Sequence, residues 1–203
     1  MNESVTKNVP TLAVIDFGSQ FNQLIARKVR ELGVYSELFP YNVSIETLKE
    51  NNVQGMIFTG GPRRVLNDDA FVVDPAIYEL GLPILAIDYG AQLMVHQLGG
   101  TISAVEKTET GVVTLNIQET SNPLFEGLSA NEKVWQSVND AITALPEGFE
   151  VLADASHEQH AVIYSQEKNI YGVQFHPELE QTENGKQIIE NFVKGICGFK
   201  GDW

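Results

Sequence analysis

Short apolar segments alternate with amphipathic helical segments along the first half of the sequence. Residues 11–16 (TLAVID) are followed by residues 20–32, where apolar side chains recur at helical spacing. The same order returns at residues 55–59 (GMIFT) and at residues 83–87 (PILAI), which lead into a helix that ends near Leu98. Because strands that alternate with helices are joined by crossovers, the pattern predicts an α/β fold with a mainly parallel central sheet flanked by helices.

Turn and cap residues divide this half into further elements. Ser19 is predicted to be the N-cap of the first helix and Gly33 its C-terminal cap, which leaves residues 34–39 as a second strand. Ser44 is predicted to open a short helix, and residues 75–80 form a predicted helical turn.

After residue 100 the sequence changes to extended segments, which predict an additional antiparallel portion in the C-terminal half. A hairpin is expected at residues 167–169, and a last amphipathic helix over about residues 184–196. Residues 198–203 are expected to be a frayed tail or the start of a further segment. The predicted extended segments are residues 101–105, 112–117, 149–153, 160–164 and 170–175.

Composition narrows the classes of function. The chain has 203 residues, and 13 Lys and Arg against 27 Asp and Glu give a formal net charge of −14, which disfavours binding to nucleic acid phosphates. A single cysteine, Cys197, excludes an internal disulfide framework, and no apolar run is long enough for a membrane span. We therefore expect a cytoplasmic protein with no membrane or nucleic acid partner.

No metal or cofactor is expected either. His157 and His160 have a spacing that is seen in metal sites, but no further cysteine or third histidine accompanies them.

Residues 86–90 (AIDYG) lie where an apolar strand turns sharply into a helix, with small residues on both sides of Asp88. This is the pattern of a nucleophile elbow, in which the central side chain projects above the sheet. The backbone N–H of Tyr89 could then stabilise an oxyanion. Alternatively, Asp88 is an ordinary helix N-cap.

Two further segments end predicted strands at the same edge of the sheet. Residues 59–62 (TGGP) could supply a second oxyanion donor, or could be a simple turn. In residues 174–178 (QFHPE), alternate side chains of an extended chain point the same way, so Glu178 could orient the imidazole of His176. Such a pair is typical of a general base and its orienting carboxylate, although a lone histidine at a strand end is often structural.

Together these segments resemble the class I (triad) glutamine amidotransferases, which have a flavodoxin-like α/β fold. Within that family the chain resembles the amidotransferase domains of GMP synthases. The resemblance predicts that residues 1–203 form a single amidotransferase-like domain, with no ATP-pyrophosphatase domain present. The resemblance rests on residues 16–20 (DFGSQ), 24–27 (LIAR), 59–62, 86–94, 135–140, 145–149 (LPEGF), 172–178 (GVQFHPE) and 191–203.

The family implies roles for individual residues. His176 and Glu178 match the base and its orienter, Gly61 and Tyr89 match the oxyanion donors, and Asp88 stands at the position of the nucleophilic cysteine. The implied partner is an ATP-pyrophosphatase (GMP synthetase) subunit or domain that receives ammonia, and the implied ligand is glutamine or a similar small molecule. The resemblance places five residues at the substrate: Gly60, Gln92, Gln136, Ser137 and Val138.

Asp88 changes what the site can do. A carboxylate that attacked an unactivated amide would form an anhydride, whereas a cysteine thiolate forms a thioester that hydrolyses readily. We expect Asp88 to be ionised at neutral pH and to form an ion pair with His176. Other departures from the family pattern occur at residues 63–64, 110–111 and 137–140. The sequence thus predicts an amidotransferase-like domain without glutaminase activity, with a regulatory or structural role.

Three alternatives stay open. Asp88 could be a working nucleophile of a hydrolase that opens alkyl halides or epoxides. The pocket could bind glutamine or another amino acid as a sensor, with Asp88 paired to the amine of the ligand. The chain could also be an amidotransferase domain cut from a longer GMP synthase.

Overall fold

The computed structural model describes residues 8–156 and 158–203, with the side chains of residues 107, 109 and 138 excepted. Within these ranges the chain forms nine strands and four α-helices. The strands are β1 (Thr11–Asp16), β2 (Ser36–Pro40), β3 (Val53–Phe58), β4 (Ile84–Ile87), β5 (Thr101–Ile117), β6 (Asn131–Ala144), β7 (Glu150–Ala155), β8 (Glu158–Ser165) and β9 (Ile170–Val173). The helices are α1 (Asn22–Glu31), α2 (Ile45–Glu50), α3 (Tyr89–Gln97) and α4 (Gly185–Glu190), which continues as a π-helical segment, Asn191–Ile196.

The described strands form one sheet in the order β2-β1-β3-β4-β9-β8-β7-β5-β6. In the first half of this order, from β2 to β9, neighbouring strands are parallel. In the second half, from β9 to β6, neighbouring strands are antiparallel. β9 joins the halves, since it pairs parallel with β4 and antiparallel with β8. The predicted fold class, mainly parallel with an antiparallel portion in the C-terminal half, is confirmed.

Two apolar clusters cover the two faces of the sheet. Alternate residues of β1 divide between them: Leu12 and Val14 pack with α1 and the π-helical segment, and Ala13 and Ile15 pack with α3. This follows from the period of two along a strand, which sends successive side chains to opposite faces. Because both faces are covered, the parallel strands are apolar at nearly every position, as in TLAVID.

Cap residues and glycines in the sequence determine several of the helix ends. The Ser44 side chain accepts a hydrogen bond from the Thr47 N–H (3.1 Å) and caps α2, as predicted. Gly33 has a φ of 77° and follows the last residues of α1, which confirms it as the terminating glycine. The prediction for Ser19 is wrong: Phe21 is the N-cap residue, and the Ser19 hydroxyl accepts from the Phe21 N–H (3.0 Å) in the turn before the helix.

The C-terminal residues are packed rather than frayed. The Trp203 N–H donates to the Gly33 carbonyl (2.9 Å), and the Trp203 and Tyr35 ring centroids are 5.3 Å apart. A Cβ on Gly33 would lie 2.4 Å from the Gly201 carbonyl oxygen, so the tail and the α1–β2 turn fit only because Gly33 has no side chain. The predicted fraying of residues 198–203 is therefore wrong.

The predicted β-rich half contains one strand that sequence reasoning missed. β5 runs without a break through the two predicted segments at residues 101–105 and 112–117, and its long partner, β6, was not predicted. Together they form an antiparallel hairpin at the edge of the sheet. In the described part of the chain, no helix is long and apolar enough to cross a membrane.

Candidate active site

The turn between β4 and α3 has the geometry of a nucleophile elbow. Asp88 has φ 49° and ψ −111°, a backbone conformation that costs an L-residue on the order of 1–3 kcal/mol. Its N–H donates to the Val173 carbonyl (2.8 Å) of β9. A Cβ on Gly90 would lie 2.7 Å from the Cβ of Phe58, so a larger residue would not fit at that turn.

The Asp88 side chain does not cap α3. Asp88 lies at the N-cap position, but its carboxylate makes no capping hydrogen bond. Instead, its Oδ2 atom lies 3.4 Å from Nε2 of His176. The side chain therefore projects above the end of the sheet, as the elbow interpretation predicts and the N-cap alternative does not.

His176 and Glu178 follow β9 and approach Asp88 from the neighbouring strand. Nδ1 of His176 lies 2.6 Å from Oε1 of Glu178, and the Glu178 side chain is fully buried. The His176 main chain is fixed by Trp135, whose carbonyl accepts from its N–H (2.9 Å), and by Thr182, whose hydroxyl donates to its carbonyl (2.6 Å). We refer to Asp88, His176 and Glu178 as the ion triad.

The charge of His176 follows from its pKa. Burial lowers this pKa, but hydrogen bonds and Coulomb attraction from Asp88 and Glu178 outweigh burial and raise the pKa to about 10. The imidazole is therefore a cation at neutral pH. Since a protonated imidazole cannot accept a proton, His176 cannot act as a general base in this state.

The residues expected to stabilise an oxyanion lie around Asp88. A Cβ on Gly60 would lie 3.2 Å from Cε1 of His176, and a Cβ on Gly61 would lie 2.4 Å from the Phe17 carbonyl oxygen. Glycine at position 61 thus lets the loop lie against the turn after β1, and glycine at position 60 leaves room for the ring of His176. Tyr89 is the first residue of α3, so its N–H has no partner four residues earlier in the helix.

A pocket of about 500 Å³ opens above the triad. It brings together the turn after β1, the loop after β3, the elbow and the edge of β6. Of the residues that line it, sequence reasoning assigned a role to Gly61, Asp88, Ser137 and His176. The lining also includes residues 18–21, Pro62, Trp135 and Asn139, and several of these were noted only as part of the family resemblance.

The residues expected to bind substrate fall into two groups. Ser137 lines the pocket, and its hydroxyl lies 3.2 Å from that of Thr110 on the neighbouring strand. Gln92 and Gln136 are buried and do not line the pocket, and Gly60 lies beside His176 and Asp88. The Val138 side chain is outside the described part of the structure.

Metal binding finds no support in the described residues, among which no three His, Cys, Asp or Glu side chains cluster as ligands would. His160 contacts the Ile142 carbonyl through Nδ1 (2.6 Å). His157, the other residue of the predicted pair, lies outside the described residues.

An ion pair that the sequence did not predict joins two sides of the pocket. Arg64, in the loop after β3, contacts both carboxylate oxygens of Asp140 on β6, at 2.6 and 3.2 Å. Hydrogen bonding to Asp140 raises the pKa of the Arg64 guanidinium. Because such two-point contacts fix geometry as well as charge, the pair holds the β3 loop against the β5–β6 hairpin.

Known proteins are similar to this chain in sequence. The family described as Glutamine amidotransferase class-I matches residues 13–196. A glutamine-hydrolysing GMP synthase of Staphylococcus aureus is 45% identical over 199 residues, which make up 98% of this chain and 38% of that protein. The chain thus spans less than two-fifths of the length of this curated relative.

Solved structures agree on the fold. A GMP synthase-type protein of Thermoplasma acidophilum is 28% identical and has a TM-score of 0.82, over 94% of this chain and 95% of that chain. A glutamine amidotransferase of Thermotoga maritima, 12% identical, has a TM-score of 0.72 over 95% of this chain and 100% of that chain.

Proposed function

Because the chain belongs to the class I glutamine amidotransferase family, we propose that it is a GMP synthase-type amidotransferase domain that lacks glutaminase activity. In this proposal Asp88 occupies the position of the nucleophilic cysteine. The similarity to GMP synthases supports the type of domain. The loss of activity rests on one observation, the position of His176 between two carboxylates, with Asp88 at 3.4 Å and Glu178 at 2.6 Å.

The chemistry of the triad supports this loss in two ways. Attack of Asp88 Oδ2 on the side-chain amide of glutamine would form a carbon–oxygen bond, break the carbon–nitrogen bond and leave an anhydride, which is a high-energy product. The imidazole that would activate a thiol is already a cation held between two carboxylates. The three side chains therefore have the arrangement of a catalytic triad, but His176 forms ion pairs with Asp88 and Glu178.

The same charges disfavour the hydrolase alternative. An ester formed on Asp88 would have to be cleaved by a water molecule that His176 deprotonates. In the free protein the pKa of His176 is raised to about 10 and the imidazole carries a proton, so His176 would have to lose that proton as the ester forms on Asp88 and removes one of the two neighbouring carboxylates.

The proposed role is regulatory or structural, in contact with an ATP-pyrophosphatase domain or subunit that uses free ammonia. The relatives of GMP synthase type support such a partner, since this chain matches only 38% of the length of the curated relative. The pocket, at about 500 Å³, is large enough for glutamine or a similar amino acid, so retention of ligand without turnover is part of the proposal.

The test is ammonia release from glutamine by the purified chain, alone and with an ATP-pyrophosphatase partner. Two variants are matched to it: Asp88→Ala removes the carboxylate, and Asp88→Cys places a thiol at the elbow beside His176. We expect the unchanged protein to equal Asp88→Ala and Asp88→Cys to exceed both. Ammonia release by the unchanged protein above that of Asp88→Ala would refute the loss of activity.

Ligand retention is tested separately by calorimetry with glutamine, glutamate and guanine nucleotides. Heat with glutamine that disappears in a variant at Ser137, such as Ser137→Trp, would place the ligand in the pocket. Absence of heat with all of these compounds would contradict a sensor role and leave a structural role.

A further inference from the structure

A row of hydrogen-bonded, buried polar side chains runs from the ion triad into the antiparallel half of the sheet. Nε2 of Gln92 lies 3.4 Å from Oδ1 of Asp88 and 3.2 Å from Oε1 of Gln174. Nε2 of Gln174 lies 3.3 Å from Oε2 of Glu158, the first residue of β8. The side chains of Gln92, Gln174 and Glu158 are all buried. Gln174 and Glu158 have no role in the proposed site, and Gln92 was expected there only as a substrate contact.

The partners at the far end determine which way each amide points. The Gln174 NH₂ group donates to Oε2 of Glu158, since a carboxylate oxygen accepts hydrogen bonds. Its carbonyl oxygen then faces Gln92, which must present its own NH₂ group to Gln174 and to Asp88. The carbonyl of Asp140, an acceptor 3.3 Å from both amide nitrogens, favours the same orientation.

We propose that Glu158 is a positioning residue for Asp88, acting through the side-chain amides of Gln174 and Gln92. As the terminal acceptor, and together with the Asp140 carbonyl, it sets the orientation of both amides, so that the last N–H is donated to the Asp88 carboxylate and holds that carboxylate against His176. This inference rests on Asp88 being the reactive position of the proposed site, but it concerns the geometry of the triad and not its turnover.

Because these side chains are buried, the orientation of each amide affects the triad. If Gln92 reversed its amide, its carbonyl oxygen would face the Asp88 carboxylate, and two acceptors would lie in contact away from water. Asp88 is 16% exposed, so its carboxylate could turn toward the pocket to avoid this contact. The distance to His176 would then increase and the pKa of His176 would fall.

The groups around Glu158 are compatible with the role. Its Oε1 atom accepts from the His160 N–H (3.0 Å) and lies 3.8 Å from Nδ1 of His160, whose ring also contacts the Ile142 carbonyl. Burial raises the pKa of Glu158, and the hydrogen bonds from His160 and Gln174 oppose this rise. Glu158 is therefore held from two sides, with Gln174 as its contact toward the triad.

The experiment measures the pKa of His176 by ¹⁵N NMR of the imidazole in Glu158→Leu and Gln174→Met. Glu158→Leu removes the acceptor together with its charge, whereas Gln174→Met interrupts the row of amides and leaves the Glu158 side chain in place. We expect both variants to lower the pKa of His176, Glu158→Leu by about one unit or more.

The two variants separate positioning from simple electrostatics. If Glu158 acted only by its charge through space, Glu158→Leu alone would lower the pKa, and that result, like no change in either variant, would overturn the proposal. Should Glu158→Leu fail to fold, Gln174→Met alone provides the test. It is expected to lower the pKa of His176, and an unchanged value would overturn the proposal. Ammonia release plays no part in either readout.

Discussion

Truncation of His176 tests the electrostatic account of the site most directly. Glu178 is fully buried, its Oε1 atom lies 2.6 Å from Nδ1 of His176, and its Oε2 atom has no hydrogen-bond partner within the described residues. His176→Ala therefore leaves a buried carboxylate without its cation. Breaking a buried ion pair in this way costs about 3–5 kcal/mol, a large part of a typical stability of about 5–15 kcal/mol.

Urea unfolding at pH 7, followed by tryptophan fluorescence, measures this loss. With an m-value of about 2 kcal/mol per molar urea, the midpoint should fall by roughly 2 M. The control is the double variant His176→Ala/Glu178→Gln. Its second substitution removes the buried charge but does not restore the packing that His176 made beside Trp135. We expect this second substitution to recover about half of the lost stability. A loss below about 1 kcal/mol in His176→Ala, or no recovery in the double variant, would refute the reasoning.

Three further outcomes are expected. The raised pKa of His176, about 10 in the fold against about 6.5 unfolded, gives stability that is complete below pH ~6.5 and is lost as pH rises through about 10. Urea unfolding should show a fall of a few kcal/mol between pH 7 and 10, flattened in His176→Gln. Gly61→Ala should destabilise by about 1–3 kcal/mol in the same assay, because its Cβ would lie 2.4 Å from the Phe17 carbonyl oxygen, while Gly195→Ala, with nothing within 4 Å, should be neutral or stabilising. Burial raises the pKa of the Cys197 thiol, so its reaction with a disulfide reagent at pH 8 should be at least about tenfold slower in the folded chain than in urea; equal rates would contradict this.

Local patterns were sufficient for the parallel half of the fold. β1 begins and ends at the predicted residues, because its continuous apolar run reflects burial on both faces. Ser19 was misassigned because two side chains accept hydrogen bonds from the main chain within the turn before α1. Asp16 accepts from the Gly18 N–H (2.7 Å) and Ser19 from the Phe21 N–H, so the chain enters the helix two residues later than the cap pattern indicates.

β6 could not be found from local pattern alone. Its residues alternate between buried and exposed positions, but the exposed ones include polar side chains such as Lys133 and Asn139 that are equally common in loops. What makes it a strand is pairing with β5, the strand that precedes it along the chain, and this pairing is not encoded by the residues of β6 alone. The part of the pocket wall that β6 provides was missed for the same reason.

The candidate site divides in a similar way. His176 and Glu178 were recognisable because residues two apart in an extended chain face the same side, and Asp88 because small residues flank its turn. The row of side chains Gln92, Gln174 and Glu158 joins α3, the segment after β9 and β8, so no spacing in the sequence predicts it.

The hydrogen bond from the Asp88 N–H to the Val173 carbonyl ties the elbow to the strand from which His176 extends. This contact is made by main-chain atoms and is indifferent to the side chain at position 88. A substitution at position 88 can therefore change the reacting atom without moving the main chain of the elbow. A triad arrangement on this scaffold indicates common descent, whereas the presence of a reaction depends on the atom at the elbow.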